Sequence, residues 1–380
     1  MNYMKLKYIA LQIIIITFAV LLSNSCTNAP EFYHSDEQKY YSICQQSDTV
    51  QGVLIYNPDD LTQICNIEFV DSLLMIFTNR NDSMIMVYNT HSDSIVSHFG
   101  RYGNARNELL DYIGFCQFDK SVDNQLLMRI QDENRKKIIT YNIASSIEKG
   151  ELVYQNSFKY DIPRSNVDRY RCYYRGENDY LIHLGLSGDG DARDEFIYPP
   201  AIIGPINMNT QVSVYPHIVS GDKRFLRYAY NIMSQISPDH QKIAEAHGNI
   251  GVVTIYDIAS GRTVEIKNED SYDFEYIDAL GRIEDDSKYD KLLICTTGFN
   301  VSEKYIAICQ DGKLSMNEMD MINKYSPIVC IFDWNGKLIS HFVTRESIVQ
   351  VAINDGERCL YGVDCNGNVY RYKFEILANS

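Results

Sequence analysis

Cys330–Phe342 reads CIFDWNGKLISHF: an apolar strand ending in aromatic-Asp, a short turn with Gly, a cation, and a second apolar run. Thr254–Ile266, TIYDIASGRTVEI, repeats that order. So do MVYNTHSDSIVSHF at Tyr88–Asn89 and ITYNIASSIEKGELV at Tyr141–Asn142, with a weaker copy, GPINMNTQVSVYP, at Ile206–Asn207. VYRYKFEI, around Tyr370–Tyr372, reads as a last, turnless copy. From Tyr88 the successive spacings are 53, 65, 50, 76 and 38 residues. Short apolar runs split by Asn, Asp, Ser and Gly are strand and turn signals. Their recurrence at this length marks a repeat architecture.

Two further strand-like runs precede each hairpin. Before Tyr256 they are RYAYNIMSQISP and QKIAEAHGN; before Tyr88 they are ICNIEFV and LLMIFTN. A four-stranded unit cannot bury both faces alone, but units stacked in a ring bury one another. The sequence therefore predicts an all-β fold: a six-bladed β-propeller with four-stranded antiparallel blades. IVQVAIN, CLYGVDC and VYRYKFEI supply only three strands before the chain stops. The lone strand DTVQGVLIY (Asp48–Tyr56) is expected to add the fourth and close the ring. Closure would protect a sheet edge. Helical periodicity is nearly absent; its best candidate is KLSMNEMDMINK, Lys313–Lys324.

The amino terminus stands apart. Lys5 and Lys7 precede the apolar run Tyr8–Leu22, and small polar residues lead to Cys26. The run is short for a spanning helix and reads as a secretory signal. The expected organisation is a signal over 1–25, a polar tether over 26–47 and the propeller over 48–380. Formal charge is −15, which argues against nucleic acid as a partner. The 29 Tyr suit half-exposed strands. The ten Cys show no CxxC spacing, and several lie in apolar runs, so small buried hydrophobes are expected rather than a zinc site or a disulfide framework.

Three stretches carry a family resemblance: FGRYGNARNELL (Phe99–Leu110), SPDHQKIAEA (Ser237–Ala246) and IFDWNGK (Ile331–Lys337). With LLSNSC at the signal, they resemble the TolB-like six-bladed β-propeller lipoproteins of anaerobic Gram-negative bacteria. His240 stands where that family's hairpin usually has Gly. The resemblance implies lipidation at Cys26 and an outer-membrane location, held to the membrane by the lipid alone. It implies no established reaction.

Two polar segments are candidate sites. In FGRYGNARNELL, Arg101, Arg106, Asn107 and Glu108 offer charges and amides that could hold an anionic or sugar-like ligand, or could latch neighbouring blades by satisfying loop backbone. In SGDGDARDE, Asp189, Asp191, Asp194 and Glu195 could hold Ca²⁺, although the twelve-residue EF-hand spacing is missing. No HExxH or GxSxG occurs, so no catalytic residue is named. The expected function is a non-catalytic binding or scaffolding module for an envelope protein or a glycan, with no cofactor. The alternative is a metal-dependent hydrolase or lactonase-like propeller whose site lies in the central channel.

Overall fold

A computed structural model describes residues 35–42, 49–58, 62–110, 116–121, 123–132, 134–159, 170–176, 179–184, 201–205, 211–213, 225, 232–269, 274–310 and 327–377. Its hairpins show why aromatic-Asp/Asn recurs. Asp333 Oδ1 accepts the backbone N–H groups of Asn335 and Lys337, both at 2.9 Å, and Gly336 takes φ +80°. That left-handed backbone costs glycine little. Asp257 accepts from Ser260 N at 2.8 Å, with Gly261 at φ +73°. Asn89 accepts from His91 N at 2.9 Å and Ser92 N at 3.1 Å. At Asn142 the same acceptor bonds Ser145 N at 3.0 Å, but there it caps a helix, α1 (Ile143–Lys149), which stands in place of the expected turn.

The described strands form an all-β propeller of mainly antiparallel, four-stranded blades. Three short strands lead the chain: β1 (Glu37–Tyr41), β2 (Thr49–Val50) and β3 (Val53–Tyr56). Sheet I is β4 (Ile64–Val70), β5 (Leu73–Thr78), β6 (Ile85–Asn89) and β7 (Ser94–Phe99). A two-strand parallel ladder, β8 (Arg101–Tyr102) and β9 (Glu108–Leu109), follows it. Sheet II is β10 (Cys116–Lys120), β11 (Leu126–Asp132), β12 (Lys137–Asn142) and β13 (Val153–Lys159). Sheet III is β14 (Tyr170–Gly176), β15 (Asp179–Leu184), β16 (Ala201–Pro205) and β17 (Gln211–Ser213). Sheet IV is β18 (Ile232–Ile236), β19 (Lys242–His247), β20 (Val252–Asp257) and β21 (Thr263–Asn268). Helices α2 (Phe274–Gly281) and α3 (Ser287–Asp290) lead to sheet V: β22 (Thr296–Val301), β23 (Tyr305–Gln310), β24 (Ile328–Asp333) and β25 (Leu338–Thr344). Sheet VI is β26 (Ile348–Asn354), β27 (Cys359–Asp364) and β28 (Val369–Lys373), with β3 antiparallel to β28.

Apolar faces meet between sheets. Phe77 and Met128 share a core between I and II; Tyr173 and Tyr256 share one between III and IV. Ile255 and Phe332 join IV to V, Ile331 and Tyr372 join V to VI, and Tyr361 and Ile76 join VI to I. Between II and III, Phe158 stacks on Tyr180 with centroids 4.4 Å apart. Almost all of these side chains are fully buried, so each sheet is stabilised chiefly by its neighbours.

The leading segment departs from the sequence reading. Glu37–Tyr41, assigned to the tether, is instead a parallel fifth strand on β21. Tyr41 is buried in the IV–V core, and its hydroxyl donates to Gln310 Oε1 at 2.7 Å. The expected single strand Asp48–Tyr56 is two. β2 runs parallel to β25, the chain turns at Gly52, and β3 then joins β28. A Cβ at Gly52 would lie 2.7 Å from the Tyr372 ring, so only glycine lets the backbone cross there. One strap, made of β1, β2 and β3, thus adds a strand to each of sheets IV, V and VI. Its polar alternation hid it, since only Tyr41 of β1 is buried. The three helices α1, α2 and α3 among the described residues were also not anticipated, and Lys313–Lys324 lies outside the described residues. All eight described Cys are free thiols, six of them buried.

Candidate functional site

The first strands of sheets I, II, IV, V and VI converge on a cavity of about 530 Å³. First strands of a propeller face its axis, so this is the mouth of the central channel. Its floor is Glu68 on β4. Glu68 Oε1 accepts from Gln235 Nε2 at 2.8 Å and Asn66 Nδ2 at 3.4 Å. Glu68 Oε2 accepts from Asn300 Nδ2 at 2.7 Å. The amide donors are themselves held: Gln235 Oε1 accepts from Val301 N at 2.8 Å, and Asn300 Oδ1 from Ile353 N at 3.1 Å. One network therefore ties sheets I, IV, V and VI together at the axis. Burial pushes Glu68 up to about 7, against the pull of its amide donors and of Arg171.

The wall on the side of sheets II and III is also built from paired groups. Gln117 forms a two-way bridge to Tyr174: its Nε2 donates to Tyr174 O at 2.7 Å and its Oε1 accepts from Tyr174 N at 2.8 Å. His240 Nε2 lies 3.2 Å from Gln117 Nε2. His240 adopts φ +60°, the backbone that glycine takes easily at this hairpin. Arg129 pairs with Asp119 at 3.0 Å and stacks 3.6 Å from the Tyr174 ring centroid. At the rim, Asp71 pairs with Lys120 at 2.9 Å. Asp355 accepts from Ser302 Oγ at 2.5 Å and Lys304 N at 2.9 Å, and burial raises its pKa. Among the described residues no group of three or more His, Cys, Asp or Glu is placed to hold a metal ion.

The four residues picked out in FGRYGNARNELL do not line this cavity. Arg101, Arg106 and Asn107 are exposed. The Glu108 carboxylate folds back on its own loop, accepting from Ala105 N at 2.8 Å. Arg135, between β11 and β12, donates to Gly103 O at 3.1 Å, Asn104 Oδ1 at 3.1 Å and Glu108 O at 3.4 Å. Tyr141 OH donates to Arg106 O at 3.3 Å, and the Arg106 guanidinium lies 5.5 Å from the Tyr154 ring centroid. The loop's carbonyls, Asn104 and Arg106 are engaged by sheet II, through Arg135, Tyr141 and Tyr154. Cys26 and the acidic segment with Asp189, Asp191, Asp194 and Glu195 lie outside the described residues.

The channel network was missed in the sequence. Its one available signal was polar residues at the inward positions of first strands, namely Asn66 and Glu68 in ICNIEFV, Gln235 in IMSQI and Asn300 in TTGFNV.

No helix among the described residues is long and apolar enough to cross a membrane. No family model matches the chain, and no curated protein matches it. Among solved structures it is similar to a member of the DUF4221 family from Bacteroides vulgatus ATCC 8482. Identity is 9%, TM-score 0.51, and the match covers 88% of this chain and 100% of that one. A Bacteroides fragilis NCTC 9343 protein, BF0058, matches at 10% identity and TM-score 0.47 over 90% of this chain and 99% of its own. The RRP9 WD40 repeats match at 9% identity and TM-score 0.46, over 87% and 99%. What this chain shares with the DUF4221 protein is its fold.

Proposed function

We propose that the chain is a six-bladed propeller that closes through its own strap, and that it works as a non-catalytic binding module for an envelope protein or a glycan. The ligand enters the channel mouth. Six sheets of four or five strands, with the last packed on the first, support the blade count. The pairing of β3 with β28 supports closure. The observation that carries the function is the cavity itself, about 530 Å³ of polar and apolar surface assembled from five sheets. A concave site with a few convergent polar groups is the usual form of a ligand pocket. The signal and Cys26 support placement at the outer membrane by a lipid anchor.

The metal-dependent hydrolase is the lesser reading. Asp71, Asp119 and Asp355 are already committed to Lys120, Arg129 and the Ser302–Lys304 segment, so a metal would have to break those bonds.

The test has two parts. Fatty-acid labelling in an envelope-bearing host should mark the wild type and not Cys26→Ala. Glycan-array and envelope pull-down binding should fall at least tenfold in Asn354→Arg, which thrusts a large cation into the mouth. Binding that survives in that variant but is lost when Arg101 and Arg106 are changed together would move the site to the outer loop.

A further inference from the structure

We infer that the channel mouth is built to receive an ammonium group, with Glu68 as its counter-ion. This rests on the cavity being the binding site and names the chemistry that the site selects.

Glu68 is only 8% exposed, yet it lines an open cavity. A buried carboxylate is ordinarily paired with a cation. Here its three hydrogen-bond donors are neutral amides, and among the described residues no cation is in ion-pair contact with it. Of the surrounding cations, Arg171 acts on that charge, and it does so from a distance. On β14, Arg171 acts through space, while its Nη1 donates to Ser234 O at 2.5 Å. On β10, burial keeps the Cys116 thiol well above its ordinary range and so neutral. Lys120 at the rim is engaged by Asp71, Arg129 behind the wall by Asp119, and Glu303 and Asp355 add further negative charge at the rim. An anionic ligand would be repelled, and a neutral one would leave the ionised form of Glu68 without a counter-charge at close range. A cation supplies what the fold omits.

Lone-pair count selects the kind of cation. A carboxylate has about four acceptor sites. Oε1 already accepts two amide hydrogens and Oε2 one. The remaining site suits one N–H from a compact ammonium. A planar guanidinium needs an outward lone pair on each oxygen for its two-point contact, and Oε1 has none to give.

Binding is then linked to protons. In the empty cavity burial holds Glu68 at about 7, so near neutrality part of the population carries a proton. An arriving ammonium favours the ionised form, and that proton leaves to solvent.

The ammonium can come from an amino sugar or from a peptide lysine, and calorimetric titration of the full chain at pH 6.5 separates the two. One arm compares triglucosamine with its N-acetylated form; the other compares Gly-Lys-Gly with its Nε-acetylated form. At least one amine should bind tenfold or more tighter than its acetylated partner. Its apparent heat should differ between phosphate and imidazole buffers, reporting proton release. Glu68→Gln should abolish both the preference and the buffer dependence, and Asp82→Asn, on an exposed turn outside the cavity, should retain both; melting temperatures of each variant confirm folding. Equal binding of amine and acetyl forms overturns the ammonium assignment and leaves the cavity reading intact. Absence of binding in all four arms, with partner capture unaffected by Asn354→Arg, overturns both.

Discussion

The channel floor and the Phe99–Leu110 loop use the same residue types to opposite ends. Both contain an acid and amides, and on both an arginine acts from a distant part of the chain. In the loop the acid is turned inward, Glu108 onto Ala105 N, and Arg135 is spent on two loop carbonyls and Asn104. At the floor, neutral amides from distant strands orient Glu68 without neutralising it. Contiguous polar sequence here satisfies itself, because a loop must provide partners for its own backbone. Polar groups gathered from three separate strands leave a charge for something else to meet.

The largest expected effect lies at Glu68. Its folded value of about 7 exceeds the ordinary 4.5, so the native state binds more protons than the unfolded chain between those values. Stability conferred by the protonated form is therefore complete below about 4.5 and is lost as pH rises through about 7. Urea unfolding should show the wild type losing about 3 kcal/mol relative to Glu68→Gln across that window. Matching pH profiles would mean that the carboxylate is solvated and the contrast with Glu108 is void.

Asn300→Ala comes next. It removes one donor to Glu68 and the acceptor for Ile353 N. The expected cost is about 2 kcal/mol in chemical denaturation. Carboxyl NMR should show Glu68 titrating higher still, since an amide that favours the charged form is gone.

Arg135→Ala should cost about 1 to 2 kcal/mol through the lost loop carbonyls and the Asp132 ion pair, which is 3.1 Å long and mostly buried. Ligand and partner binding should not change. A binding loss larger than the stability loss would make the loop a site after all. Arg101→Ala should have the smallest effect, within about 0.5 kcal/mol in the same denaturation assay, because the side chain is exposed.

What was legible in the sequence follows the same divide. Hairpins whose aromatic-Asp/Asn was read as a turn do close through that side chain at Asn89, Asp257 and Asp333. Local chemistry of this kind is written in adjacent residues. Asn142 shows the limit, since an N-cap and an Asx turn use the same side-chain oxygen, and only the residues that follow decide between them. The strap was illegible for a different reason. EQKYY alternates weakly, and what makes it a strand is the open edge of β21, far away in the chain. The channel network was illegible for the strongest reason: Glu68, Gln235 and Asn300 are each ordinary in their own strand, and their meeting is a property of the assembled sheets.

The strap has a consequence in time. Asp36 bonds a backbone 227 residues away, and Gly52 bonds a side chain 294 residues away. Those partners leave the ribosome long after the strap does. Until they arrive, β1, β2 and β3 lack the strands they pair with. Contacts of such separation are the slowest to form. The three leading strands are therefore made first and paired last, so their docking reports that sheets IV, V and VI are in place.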